Sequence, residues 1–396
     1  MSRRNVNAQR RQMVLGGAAM AASGMLPSVS RAAEPVKVGL IVPMSGPFAS
    51  TGRQIDAAVK LYQKKHGDTV AGRKVEVILK DDGGVAPDAT KRIAQELVTR
   101  EGVQVLAGFG LTPLAFAASP IATQAKTPMI VMAAATSVIV KRSPYVVRTG
   151  FTLPQVTAPM ADWALKNGIE SAITFVSDYG PGIDAEKVFI KSFSAGGGKV
   201  DASIRTPLLN PDYAPFLKRV KDSKPQALFV FVPSGEGANV LKQFNERGLA
   251  DDGIRLICTG DVLDDDLMVS IGPVSEGVVS SHHYSAAHPS AENKEYVEGF
   301  QRDNGGHRPN FHSVGGYDGM HLLYEALKKT NGDANGDKLL AAMKGLSWNS
   351  VRGPVTIDPD TRDIVQDVYI RRSEQVDGQM WNVEFDKIAQ FKDPGV

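Results

Sequence analysis

Two short stretches of this 396-residue chain have the composition of an anion cradle. At Leu111-Thr112-Pro113 an apolar run gives way to a helical pattern, and at Ala134–Ser137 a second run ends in Thr136-Ser137. A strand-to-helix turn leaves backbone N–H groups without carbonyl partners, and the positive end of the helix converges on them, so a small anion suits it. Pro113 fits a first helical turn, where its missing N–H removes no hydrogen bond. Thr112 and Thr136 add hydroxyls that can serve a ligand or cap a helix. The loop Ser45-Gly46-Pro47-Phe48-Ala49 offers Phe48 for stacking or for the core. Arg53 offers a charge-assisted bond to an acid group, or a solvated cation.

Catalytic sets are harder to find. His282, His283 and His288 form the only histidine cluster, and adjacent histidines in a strand are expected to point to opposite faces; no further zinc ligands accompany them. Asp81-Asp82, at a strand end, could pass for metal ligands or a catalytic carboxylate pair. There is no Gly-x-Ser-x-Gly elbow and no Walker lysine, and the glycines of Gly39–Gly52 do not match dinucleotide spacing. Cys258 is the only cysteine, so no internal disulfide is available. No metal or cofactor is expected, and binding is favoured over turnover.

The elements that must position these residues alternate. Val36–Pro43, Lys74–Lys80, Val103–Gly108 and Pro128–Ala133 read as strands, with helices over Gln54–Lys65, Pro87–Arg100 and Pro113–Gln124 between them. The rhythm restarts with strands Ser171–Ser177, Lys199–Arg205, Gln226–Val232 and Ile254–Thr259, and helices Pro154–Lys166, Ile183–Ser194, Tyr213–Asp222 and Ala238–Arg247. Such alternation implies parallel sheets covered on both faces. Two successive arrays imply two lobes. After Gly277–Tyr284 come three helices without a sheet, Asn293–Asp303, Val314–Lys329 and Asp337–Leu346, so the chain is expected to return to the first lobe. Short strands Arg352–Ile357, Val365–Arg371 and Trp381–Glu384 close the pattern.

The N-terminus reads as an export signal over residues 1–32: Arg3, Arg4, Arg10 and Arg11, an apolar Met13–Met25 segment, then Ser30-Arg31-Ala32 for cleavage. Arg10-Arg11 resembles a twin-arginine pair without its usual aromatic, leaving Sec export as an alternative. Losing five arginines and no acid takes the formal charge from +2 to −3. Nucleic acid therefore loses its main support as a partner. A periplasmic, soluble protein is expected.

Gly39–Gly52 (GLIVPMSGPFASTG), Asp81-Asp82, Gly108–Thr112 (GFGLT), Ala133–Thr136 (AAAT), Arg148-Thr149 and Asp178-Tyr179-Gly180 stand in the order and spacing of the branched-chain-amino-acid-type (type I) periplasmic binding proteins of ABC importers. The chain resembles that family over residues 35–390. The resemblance implies an α/β fold of two Rossmann-like lobes joined by a three-crossover hinge, with ligand in the interlobe cleft. Boundaries are expected at 34–153 plus 286–352 for the N-terminal lobe and 154–285 plus 353–396 for the C-terminal lobe. GFGLTP, AAATS and His282-His283-Tyr284-Ser285 resemble the branch that binds aromatic carboxylates, such as hydroxybenzoates or phenylpropenoid acids. Family positions assign Leu111, Thr112, Ala134 and Thr136 to a carboxylate and Tyr179 to the lid. Phe48, Arg53, Ser234, Asp261, His283, Tyr284 and Tyr317 are further ligand candidates. Family members often carry an aromatic where Thr51 stands. Amino-acid binders place a carboxylate for the ammonium near Gly260-Asp261, so a reach by Asp261 would keep an amino acid or amide as the alternative. Arg148 is implied to be structural. ABC permease and ATPase subunits are the implied partners; an exported sensory subunit or an α/β enzyme is the alternative of another class.

Overall fold

The computed structural model describes residues 34–396; the export-signal reading falls outside them. The first sheet has the strand order β2-β3-β1-β4-β5-β6. Its members are β1 (Val36–Val42), β2 (Thr69–Val70), β3 (Arg73–Asp81), β4 (Val105–Gly108), β5 (Met129–Val131) and β6 (Val146–Arg148). All pairs but the short β2–β3 hairpin are parallel. β1 and β4 are buried almost throughout, which explains their continuous apolar runs. Helices α1 (Ala49–His66), α2 (Pro87–Glu96) and α3 (Thr112–Ala125) connect them.

The chain then crosses into helix α4 (Leu153–Lys166), whose Thr152 cap and Gln155 form a reciprocal capping box. The second sheet follows the order β12-β13-β14-β11-β10-β9-β7-β8, with β15 paired to β14. Its parallel half comprises β7 (Ser171–Ser177), β8 (Lys199–Thr206), β9 (Ala227–Phe231), β10 (Arg255–Thr259) and β11 (Val279–His282). Helices α5 (Gly180–Ala195), α6 (Ala214–Ser223), α7 (Gly237–Glu246) and the short α8 (Met268–Ile271) intervene. A second crossing leads to α9 (Ala291–Asp303), α10 (Phe311–Lys329) and α11 (Gly336–Met343). Of these, α9 and α10 pack on α1, which covers the first sheet. A third crossing returns the chain to β12 (Ser347–Ser350), β13 (Gly353–Ile357), β14 (Ile364–Val376) and β15 (Gln379–Phe391), all antiparallel. β12 already belongs to the second sheet, a few residues before the expected change of lobe at 352.

Three buried arginines organise the crossings. Arg148 pairs with Asp363 at 2.8 Å and donates to the carbonyls of Phe151 and Thr136, the structural role expected of it. Arg352 pairs with Asp318 of α10 at 2.7 Å and donates to the carbonyl of Gly150. Arg371 on β14 donates to the Tyr284 carbonyl and pairs with Asp265 at 3.5 Å. Asp81 and Asp82 cap their own turn, accepting from the amides of Met44, Gly83 and Gly84. Among the described residues no helix is long and apolar enough to cross a membrane.

Candidate functional site: a closed cleft between the lobes

The strand ends of both sheets converge on one small cavity of about 30 Å³. Its first-lobe wall comes from Phe48 and Thr51 at the start of α1, Gly110, Leu111 and Thr112 at the β4–α3 turn, and Ala133, Ala134 and Ala135 after β5. Phe151 and Leu153 of the first crossing form the floor, and the second lobe adds Tyr179, Pro181, Phe231, Pro233, Ser234 and Asp261. His312, in the first turn of α10, completes the lining.

The β4–α3 turn leaves helix-start amides unpaired among the described residues. Leu111 is the extended N-cap residue of α3 and Pro113 stands in its first turn. The amides of Leu111 and Thr112 make no hydrogen bond among the described residues, as the first turn of a helix dictates. Thr112 Oγ1 and Thr136 Oγ1 are 2.8 Å apart, so one donates to the other. The Ala134 amide, by contrast, donates to the Phe109 carbonyl at 2.9 Å, and the Ser137 amide donates to Asp184 Oδ2 of α5 at 3.0 Å. Of the four carboxylate positions, Leu111 and Thr112 thus offer free amides, while Ala134 offers a wall. Thr136 stands just behind the lining, bonded to Thr112.

Phe48, Tyr179, Ser234 and Asp261 are brought together at the same cavity. Tyr179 stacks on Phe231 at 6.1 Å, and burial pushes its hydroxyl far above the usual range, with the Asp261 carboxylate adding to the effect. Asp261 accepts from Thr259 Oγ1 at 2.9 Å and lies 3.4 Å from His282 Nε2. At Gly260 no side chain fits: a Cβ there would lie 2.0 Å from Arg371 Nη2 and 2.6 Å from His282. Asp261 is therefore the carboxylate that this segment contributes to the cleft.

Four sequence candidates lie elsewhere. Helix α1 begins at Ala49, earlier than read from the sequence, and Arg53 on it is exposed in a separate depression with Asp266 and His307. His283 is fully buried and stacks on Phe151 at 4.9 Å, behind the floor. β11 ends at His282, so strand alternation does not separate the two histidines, whose rings are 4.6 Å apart. Tyr284 is buried and donates to Asn293 Oδ1. Tyr317 faces Tyr62 and Tyr296 on the far side of α10. Sequence reasoning missed Phe151, Phe231 and His312. Phe231 ends the QALFVFV strand next to Ser234, and Asn310, the N-cap of α10, marked His312 as a helix-start residue.

The lobes are shut on each other. Gly180, the first residue of α5, abuts Thr136 and Thr112. Beside the cavity, Asn310 Nδ2 of the first lobe donates to Asp264 Oδ2 of the second at 2.8 Å, and Ser234 donates to the same oxygen. Arg308 reaches the Met380 carbonyl at 2.7 Å and lies 3.4 Å over the Trp381 ring. Burial pushes the Asp264 carboxyl up to about 7, opposed by the Ser234 hydrogen bond and reinforced by Asp266 and Asp265. The folded protein thus keeps a proton that an unfolded aspartate releases near pH 4, so ionisation penalises the fold above about pH 7 and the penalty fades as pH falls. Asp264→Asn is expected to raise the melting temperature more at pH 8 than at pH 5. Equal shifts at both pH values would refute the assignment.

The comparisons with known proteins agree with this geometry. The family model described as Periplasmic binding protein matches residues 35–379. A solute-binding protein of an ABC transporter from Rhodopseudomonas palustris BisB5, solved in complex with 3,4-dihydroxybenzoic acid, is 61% identical, with a TM-score of 0.89 over 91% of this chain and 99% of that one. Its counterpart from Rhodopseudomonas palustris HaA2, in complex with p-hydroxybenzoic acid, is 41% identical, with a TM-score of 0.88 over 91% and 98%. The Leu/Ile/Val-binding protein homolog 6 of Brucella abortus is 43% identical over 92% of this chain and 94% of its own length. Two α/β lobes on a three-strand crossing, closed over a cavity that carries free amides on one lobe, place the chain in the periplasmic binding protein family, as a solute-binding protein of an ABC transporter.

Proposed function

We propose that this protein captures a small aromatic carboxylate in the periplasm and presents it, lobes closed, to an ABC permease and its ATPase. The observation that carries the reading is the pairing of free helix-start amides at Leu111 and Thr112 with aromatic side chains from three directions, Phe48, Phe151 and Tyr179 with Phe231. The amides and the Thr112–Thr136 hydroxyl pair take the carboxylate, and the ring lies against the aromatics. The second lobe closes because contacts with ligand on both lobes lower the closed state relative to the open one. The proteins named above that were solved with hydroxybenzoates support the ligand class. In this reading the protein is not an enzyme, and ligand is recovered unchanged.

One observation favours a second reading, in which a branched-chain amino acid or amide is bound: Asp261 does reach the cavity and could face an ammonium group. Against it, the volume at Gly260, where amino-acid binders carry the carboxylate for the ammonium, is filled by Arg371.

A thermal-shift screen of the purified protein against benzoates, cinnamates, leucine and valine separates the two. Ligand at about 100 times its Kd stabilises by ~2.7 kcal/mol, a shift of a few degrees. The shift is expected with aromatic acids and is expected to vanish in Thr136→Val, which removes the partner of Thr112. A response to leucine or valine alone would overturn the aromatic reading.

A further inference from the structure

His312 is the lining residue with no task in the fold. It sits in the first turn of α10, where its own amide donates to the Asn310 cap, yet its side chain is only 8% exposed and its Nδ1 has no partner. Burial pulls the imidazole down to about 3, although the Asp261 carboxylate pulls the other way. The ring is therefore neutral at ordinary pH, with one nitrogen that donates and one that accepts. Asp261, whose charge acts on this ring, lines the same cavity from the opposite lobe, beyond the end of β10. A buried polar atom left without a partner is costly, and His312 lines the cavity that a guest would fill.

We infer that His312 and Asp261 form a second polar pole of the cleft, one residue from each lobe, that selects a hydroxyl group on the ligand ring. This rests on the aromatic-carboxylate reading and deepens it. A phenolic hydroxyl donates to the Asp261 carboxylate and accepts from the N–H of the neutral His312 ring. An ammonium group would satisfy Asp261 but offers His312 no acceptor, and an unsubstituted ring satisfies neither. Because the two residues belong to different lobes, the hydroxyl also bridges the closed state. Selection against a ligand that lacks the group follows from the polar atoms it would leave unpaired.

Calorimetric titration of benzoate, 3-hydroxybenzoate, 4-hydroxybenzoate and 3,4-dihydroxybenzoate tests this on the wild type, His312→Phe and His312→Gln. The wild type is expected to prefer at least one hydroxylated ring over benzoate by about tenfold or more. His312→Phe, which keeps the ring volume and loses the polar atoms, is expected to reduce that ratio to about threefold or less. His312→Gln, with a donor and an acceptor, is expected to restore part of it. A wild type that binds benzoate as tightly as every hydroxylated ring overturns the inference, as does a His312→Phe variant with an unchanged ratio. Absence of binding to all four acids is a distinct result that removes the ligand class itself.

Discussion

Gly180→Ala is expected to leave the protein folded and to weaken ligand binding by about tenfold or more. A Cβ at this position would lie 2.8 Å from Thr136 Oγ1 and 3.5 Å from Thr112 Cγ2, and all of its nearest neighbours belong to the first lobe. No second-lobe atom is among the three nearest to the added methyl, so the strain is expected to fall on closure and not on the open conformation. To close, the lobes would have to stop short or displace the Thr112–Thr136 pair. Overpacking of this kind costs about 1–3 kcal/mol, which appears as roughly five- to 150-fold in affinity when only the closed state is strained. Gly182, two residues on, provides the contrast: a Cβ there would lie 1.9 Å from the Ser177 carbonyl within the same lobe, so its substitution should damage folding itself. Calorimetric titration beside a ligand-free melt separates the cases. Wild-type affinity in Gly180→Ala would show that this contact does not govern closure.

The second large effect concerns Arg352. Its guanidinium is fully buried, pairs with Asp318, and ties the β12–β13 turn to the Gly150 carbonyl of the first crossing. Arg352→Met removes a charge whose partner stays buried, and breaking such a pair costs about 3–5 kcal/mol. For a chain of this size that corresponds to a melting temperature lower by roughly 4–7 °C. Asp318 keeps hydrogen bonds from Trp348 Nε1 and Ser350 Oγ. The double variant Arg352→Met/Asp318→Asn should therefore recover part of the loss, because it no longer strands a charge. A scanning-calorimetry result in which both variants melt with the wild type would show the pair to be energetically neutral.

Much of this architecture can be read from the chain itself, for definite reasons. Ser171–Ser177 is buried on both faces and therefore spells a continuous strand, and Gly196-Gly197-Gly198 ends α5 where the helix stops at Ala195. β6 escaped notice because three residues carry no period. β14 and β15 form a hairpin of two 13-residue strands whose outer half is exposed and polar, so only the buried stretches read as strands. The site divides in the same way. The Leu111-Thr112-Pro113 turn declares itself through local helix-start chemistry. Tyr317 was misplaced because its direction depends on the phase of α10: five residues separate it from His312, which turns it about 140° around the helix, toward α1 and away from the cleft. His283 and Tyr284 lie past the end of β11, where alternation no longer sets direction.

The three crossings behave, in mechanical terms, as a flexure of parallel leaves. One leaf can bend and twist; three together bend but resist torsion and shear, with the first tied to the returning chain by Arg148 and Arg352 and Arg371 holding the second at the Tyr284 carbonyl. The lobes are thereby confined to a single arc of travel. Along that arc the first-lobe residues Thr136 and Asn310 meet Gly180 and Asp264 in one register only. In the function proposed above, the outer faces of the two lobes then reach a fixed spacing at full closure, from which the permease gauges occupancy without touching the guest.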